Sequence, residues 1–166
     1  MKSIFTRRSI RSYTDQPVDD ATVQELLKAA MAAPSAGNQQ PWHFIVVRDR
    51  QLLDQVPKIH PYAKMLIEAP VAILVCGDET LEKHKGYWVQ DCSAATQNTL
   101  LAAEELGLGA VWLGIYPTED RVLAFRKLFG LPEHVTPLSM IAIGHGAEKK
   151  PPADRFNPER VRYDRW

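Results

Sequence analysis

The sequence predicts an α+β domain of three layers, with helices on both faces of one mixed or antiparallel sheet of four or five strands. Three observations carry this reading. Four short apolar runs, 43–48, 71–76, 110–115 and 138–143, have strand length and are bounded by turn residues. Three longer stretches, 19–33, 88–106 and 118–129, are helical candidates by apolar spacing or by their start and stop signals. The two kinds of element alternate, but imperfectly.

In 19–33, residues Val23, Leu26, Leu27, Ala30 and Met31 fall on one helical face, with Asp19 or Asp20 as N-cap. Pro34 stops that helix, and Ser35 to Pro41 form a polar loop. The run HFIVVR, 43–48, reads as a strand. Short helical segments are expected around 50–56 and 62–68, broken by Pro57 and Pro61. The uninterrupted VAILVC, 71–76, between Pro70 and Gly77, suits a strand buried on both faces.

The longest helix, 88–106, is rich in small residues (Ser93, Ala94, Ala95, Thr96, Ala102, Ala103), which let other helices come close, and Gly107 is placed to close it. After the strand AVWLGI, 110–115, the helix 118–129 has Thr118 as a possible cap. Glu119 and Asp120 favour its first turn, and Gly130 ends it. The strand LSMIAI, 138–143, runs into Gly144. The tail 145–166 is polar, holds Pro151, Pro152 and Pro158, and lacks a helical pattern. An extended arm laid on a partner subunit would account for its late Val161, Tyr163 and Trp166. Residues 1–166 read as a single domain.

Composition narrows the function. Lys plus Arg and Asp plus Glu stand at 20 each, so there is no basic excess of the kind a nucleic-acid binder carries. No apolar run approaches the roughly 20 residues of a membrane span, and the basic Met1–Arg11 stretch has no apolar core of a signal peptide. The expected location is cytoplasmic. Cys76 and Cys92 lie 16 apart without a CxxC or a nearby histidine pair, and read as two buried thiols rather than metal ligands. The segments GLG, 107–109, and GHG, 144–146, do not complete a dinucleotide fingerprint, and GxxxxGK[ST], HExxH and GxSxG are absent.

Two clusters carry chemistry. RRSIRSY supplies Arg7, Arg8, Ser9 and Arg11, three guanidiniums and a hydroxyl within five residues. Such a set can serve a dianionic phosphate and a second acceptor beside it; a solvated basic patch is the bland alternative. PSAGNQQPW, 34–42, offers Ser35, Asn38 and Gln40 between prolines, with Gly37 free to take an unusual backbone angle. This loop could edge a planar heteroaromatic ring, or could simply connect a helix to a strand.

Taken together, RRSIR and PSAGNQQPW resemble the nitroreductase family of flavoproteins. Further matches follow in order: an apolar strand before GD at 77–78, AAEELGLGAVWLG at 102–114, IAIGHG at 141–146, and RFNPERVRYDRW at the end. The resemblance implies an α+β homodimer with FMN at the subunit interface, reduced by NADH or NADPH. Arg7, Arg8, Ser9 and Arg11 match its first FMN segment, with Arg7 on the phosphate and Arg11 near the N1/C2 carbonyl side of the ring. Pro34, Ser35, Ala36, Asn38 and Gln40 match the segment lent by the other subunit. Leu113 and Gly114 match a backbone stretch near the dimethylbenzene and N5 region, and Arg155 a late basic residue near the phosphate.

No catalytic side chain and no metal are implied, because the chemistry resides on flavin N5, with Arg11 tuning the ring. The implied activity is ping-pong hydride transfer from NAD(P)H to a small electron-poor acceptor, such as a nitroaromatic or quinone. The alternatives are another flavin reaction (dehalogenation, desaturation or flavin breakdown) or a flavin-binding protein without nicotinamide turnover. The stretch 78–90 is the one candidate for a lid.

Overall fold

The computed structural model describes residues 2–166; Met1, counted above in the basic start of the chain and in the 1–166 domain, lies outside them. Its helices are α1 (Lys2–Thr6), α2 (Asp20–Met31), α3 (Arg50–Ile59), α4 (Trp88–Glu105) and α5 (Glu119–Phe129). Its strands are β1 (Trp42–Val47), β2 (Val71–Asp78), β3 (Gly109–Gly114) and β4 (Val135–Gly144). They form one sheet in the order β1-β2-β4-β3, and every pair is antiparallel. The expected fold class holds, with four strands and no parallel pair among these named strands.

Side-chain alternation on the central strands builds the layers. Val71, Ile73 and Val75 of β2 join Ile141 and Ile143 of β4 in a core with Leu26 and Ala30 of α2 and Cys92, Ala95 and Ala103 of α4. Their neighbours Ala72, Leu74 and Cys76 point the other way, with Met140 and Ala142, toward Leu53 and Val56 of α3 and Phe125 of α5. Strands covered on both faces need no polar side, which is why β2 and β4 are buried at every position. Helix α4 lies against the sheet with Ala95, Thr96 and Ala103 fully buried, and Asn98 donates to the Ala29 carbonyl of α2 at 3.1 Å.

Local signals set the boundaries. The Asp19 carboxylate caps α2 by accepting the Thr22 N–H at 2.7 Å. Gly107, at φ 73°, closes α4, and Leu108 N–H donates back to the Ala103 carbonyl at 2.8 Å. Gly130, at φ 63°, closes α5.

Three expectations are corrected. Pro57 does not break α3: it costs one backbone bond near the end, and His60 N–H still donates to the Val56 carbonyl at 2.9 Å. The segment 62–68 forms only a 3-10 turn, Lys64–Ile67, too short for an α-helix. Thr118 stands at the N-cap of α5, but its side chain makes no capping bond.

Pro137, inside the central strand β4, lacks an N–H. The sheet absorbs this with a bulge: Val75 pairs with Ser139 and Cys76 with Pro137. Both cysteines are free and buried, and no helix among the described residues is long and apolar enough to cross a membrane.

Candidate functional site

The N-terminal cluster lies along the free edge of β3. Ser9 forms a parallel bridge with Ala110, and Ile10 N–H donates to the Ala110 carbonyl at 3.1 Å. The approach is close because Gly109 has no side chain: a Cβ there would come within 2.7 Å of Ile10 Cγ2. Tyr13 anchors the far end, buried, with its hydroxyl donating toward the Ile10 and Ala142 carbonyls at 2.7 and 3.1 Å. Burial drives its pKa upward.

Extended backbone sends Arg8 and Ile10 to one side and Ser9 to the other. Arg8 and Ile10 line a cavity of about 410 Å³ with Thr6, Glu104, Lys149 and Lys150, and the Arg8 guanidinium donates to the Pro151 carbonyl. Arg7, half-buried, and Arg11, exposed, stay outside that cavity. Two residues not singled out in the sequence complete the cluster. Lys150 Nζ donates to the Ser9 carbonyl at 2.8 Å and to Glu148 at 3.0 Å, while Glu148 accepts the Arg11 N–H at 2.6 Å. The Arg11 N–H and then Lys150 hold the Glu148 carboxyl below the usual carboxylate range. Arg155 stands exposed on the tail, and among the described residues no hydrogen bond ties it to this cluster.

Four residues further along β3, about 14 Å at the antiparallel rise, lies Gly114. Ile115 N–H donates inward to the Leu138 carbonyl at 3.0 Å, so by strand alternation the N–H and C=O of Gly114 face outward from the sheet edge. The carbonyl accepts from His60 Nε2 at 2.9 Å and from Arg121 at 3.1 Å. A Cβ on Gly114 would meet nothing within 4 Å. Leu113 contributes backbone only, since its side chain is buried in the α3–α5 core.

His60 was not among the sequence candidates. It is buried, and its Nδ1 accepts the Tyr62 N–H at 3.2 Å, which leaves the proton on Nε2 for Gly114. Burial lowers its pKa below the ordinary imidazole value, so the ring is a neutral donor.

The loop carrying Pro34, Ser35, Ala36, Asn38 and Gln40 has an uncommon backbone. Gly37, Asn38 and Gln40 take φ of 54°, 54° and 47°, strained for the last two. Ser35 Oγ accepts the Gln40 N–H at 3.0 Å, and Asn38 Oδ1 accepts from Gln40 Nε2 at 2.9 Å. Pro34, Asn38 and Gln40 are exposed. Behind the loop, the buried Asp91 of α4 accepts the Ala36 N–H at 3.0 Å and Gln39 Nε2 at 2.7 Å. Gln39 Oε1 then accepts the N–H groups of Lys83 and His84 at 2.9 and 3.0 Å. The segment 78–90 is therefore clamped to this loop. Its His84 ring covers Gly37, where a Cβ would come within 2.6 Å of Nε2.

The strand register places the loop and Gly114 at the same end of the sheet but on opposite edges, three strand spacings or about 14 Å across the sheet, with Gly114 set three residues further along β4 than the start of β1. One chain thus sets Ser9, between Arg7 and Arg11 in the sequence, and Gly114 at two places on one edge, and carries the loop of Ser35, Asn38 and Gln40 beside the other.

The family model described as the Nitroreductase family matches residues 4–61 and 58–145. A protein of Methanothermobacter thermautotrophicus named "Putative NADH dehydrogenase/NAD(P)H nitroreductase" is 54% identical over 166 residues, covering 100% of this chain and 87% of its own. The NAD(P)H FMN reductase of Bacillus subtilis is 31% identical over 181 residues, covering 98% of this chain and 72% of its own. A Desulfovibrio desulfuricans protein crystallised in complex with FMN is similar at TM-score 0.86 and 34% identity, over 99% of this chain and 96% of that one.

Proposed function

The chain belongs to the nitroreductase family, and from that premise we propose that it is an FMN-dependent NAD(P)H oxidoreductase acting, as one domain per subunit, in a homodimer. The B. subtilis relative is an FMN reductase using NAD(P)H, and the D. desulfuricans structure contains FMN. The edge of β3 carries the reading: it is open where a bound ring needs room and cationic where a phosphate needs charge.

At Gly114, apart from its two chain neighbours, no atom of the described residues lies within 4 Å of where a side chain would begin, so a flat ring can approach the outward N–H. About 14 Å away along the strand, Arg7 and the Ser9 hydroxyl are suited to a phosphate, since a guanidinium presents a fixed fork of donors. Arg8, turned toward Pro151, would serve by buttressing this segment, and Arg155 would join if a partner brought the tail to the phosphate.

FMN, when bound, supplies two-electron exchange between the nicotinamide and an electron-poor acceptor such as a nitroaromatic or quinone, in ping-pong order. Arg11 would place a fixed positive charge at the N1/C2 carbonyl side of the ring. The neutral His60 and the cationic Arg121 hold the Gly114 peptide still through its carbonyl, which keeps the neighbouring N–H aimed outward. Ser35, Asn38 and Gln40, on the far edge, would serve the flavin of the second subunit.

The test is an anaerobic titration of FMN-loaded protein with NADH, then NADPH, followed at the oxidised-flavin absorbance band. Rapid bleaching is expected with one of them. A bound flavin that neither nicotinamide reduces would favour a flavin-binding protein without turnover, and a chain that holds no FMN would overturn the proposal.

A further inference from the structure

Asp91 is a buried carboxylate, and no cation among the described residues forms an ion pair with it. Both of its oxygens are spent on one loop: Oδ1 on the Ala36 N–H at 3.0 Å, Oδ2 on Gln39 Nε2 at 2.7 Å. Gln39 is also buried, and its Oε1 takes the N–H groups of Lys83 and His84. The chain of bonds has one possible direction. A carboxylate only accepts, so the Gln39 amide must turn its NH2 to Asp91 and its oxygen to the two backbone donors.

Burying a charge is costly, and an apolar contact would hold α4 to the loop more cheaply. What the carboxylate supplies is orientation. Gln39 is the residue it pins, and the positive-φ positions Gly37, Asn38 and Gln40, strained at Asn38 and Gln40, surround that residue.

We propose that Asp91 is a positioning residue of the flavin site, acting through Gln39 to hold Ser35, Asn38 and Gln40 in the conformation that meets the cofactor. This rests on the reading of that loop as flavin-binding. The same relay ties the segment at Lys83 and His84 to the loop, so the two move as one unit.

The directional chain provides its own test. In Asp91→Asn, the single amide oxygen can accept from the Ala36 N–H or from Gln39 Nε2 but not from both, so its NH2 faces one of these two donors. Flipping Gln39 removes a clash on its own side only by turning its NH2 against the Lys83 and His84 donors. In Gln39→Glu, two carboxylates face each other. In the double exchange, the oxygen of the amide introduced at position 91 accepts the Ala36 N–H, and its NH2 donates to the carboxylate at position 39. The second oxygen of that carboxylate takes the two backbone donors, so every bond is restored.

The readouts are the dissociation constant for FMN, from the fluorescence of the free flavin, and the visible circular dichroism of the bound flavin. Melting of the flavin-free protein runs beside them. Each single variant is expected to weaken FMN binding about tenfold or more and to alter the dichroism, with the exchange returning both close to wild type. Single variants that melt early yet bind FMN normally would mark a purely structural role and overturn the proposal. An exchange variant that folds but binds no better than the singles would also overturn it, and this comparison stands even if a single variant fails to fold. Wild-type protein that holds no FMN would instead remove the flavin reading itself.

Discussion

A valine at position 114 would begin in open space, with no atom of the described residues other than its two chain neighbours within 4 Å of its Cβ, and a β-branched residue suits an edge strand. Gly114→Val is therefore expected to leave the melting temperature of the flavin-free protein unchanged or slightly raised. The same side chain would stand over the outward N–H, and FMN binding should weaken about tenfold or more. Arg7→Ala, measured beside it, should lose a charge-assisted contact of about 1.5–3 kcal/mol. Unchanged FMN affinity in both, read by flavin fluorescence, would remove the β3 edge as the binding surface.

At this scale the sequence yields residue types more readily than directions. Arg7, Ser9, Asn38 and Gln40 stand out as candidates because charged, hydroxyl and amide groups crowd into two short motifs. Leu113 is expected to act through its backbone, and strand alternation buries its side chain. Asp91, His60 and Lys150 were not legible, because their partners lie 55, 54 and 141 positions away. Nothing in a local pattern signals such a pairing.

Among the elements, the four strands and the three main helices follow from apolar spacing and from Asp19, Gly107 and Gly130 at their ends. Misses occurred where tertiary packing overrules a local breaker. Helix α3 continues past Pro57 because the buried Leu53 and Val56 hold it against the sheet. The all-antiparallel order could not be read from runs of apolar residues, since burial on both faces removes the alternation that distinguishes strand types.

The docking of the N-terminal segment on β3 is also an element-level feature, and it depends on Gly109. A Cβ there would come within 2.7 Å of Ile10 Cγ2 and 2.9 Å of Ile10 Cβ, a branched side chain with little freedom to yield. Gly109→Val is thus expected to cost about 1–3 kcal/mol in stability by overpacking and to weaken FMN binding by lifting Arg7 and Ser9 off the edge. Thermal melting and flavin fluorescence together would check this. A variant with normal stability and normal FMN affinity would show that the segment does not depend on that contact.

For the molecule as a whole, the tail is the element that one copy of the chain leaves unexplained. The buried core ends at Ile143, whereas Phe156, Tyr163 and Trp166 are 79%, 86% and 101% exposed. Aromatic surface of this kind is exposed to water at a cost, and a partner that covered it would recover that cost. The outer edge of β3 beyond Ala110 is likewise unpaired within the described chain, a surface that native folds usually cover. A second copy suits both features. Zero net charge offers no repulsion between copies, and the dimer would bring Ser35, Asn38 and Gln40 of one subunit to the Arg7–Gly114 edge of the other. Ending the chain after Ala153 should therefore convert dimer to monomer in sedimentation velocity and release FMN at the same time. The melting temperature should fall through the lost association rather than through any damage to the core, since no removed residue belongs to it. That fall should depend on protein concentration in the full-length chain and vanish from the truncated one. A truncated chain that still sediments as a dimer would assign the interface elsewhere, and one that becomes a monomer yet keeps FMN at full affinity would remove the lent loop from the binding site.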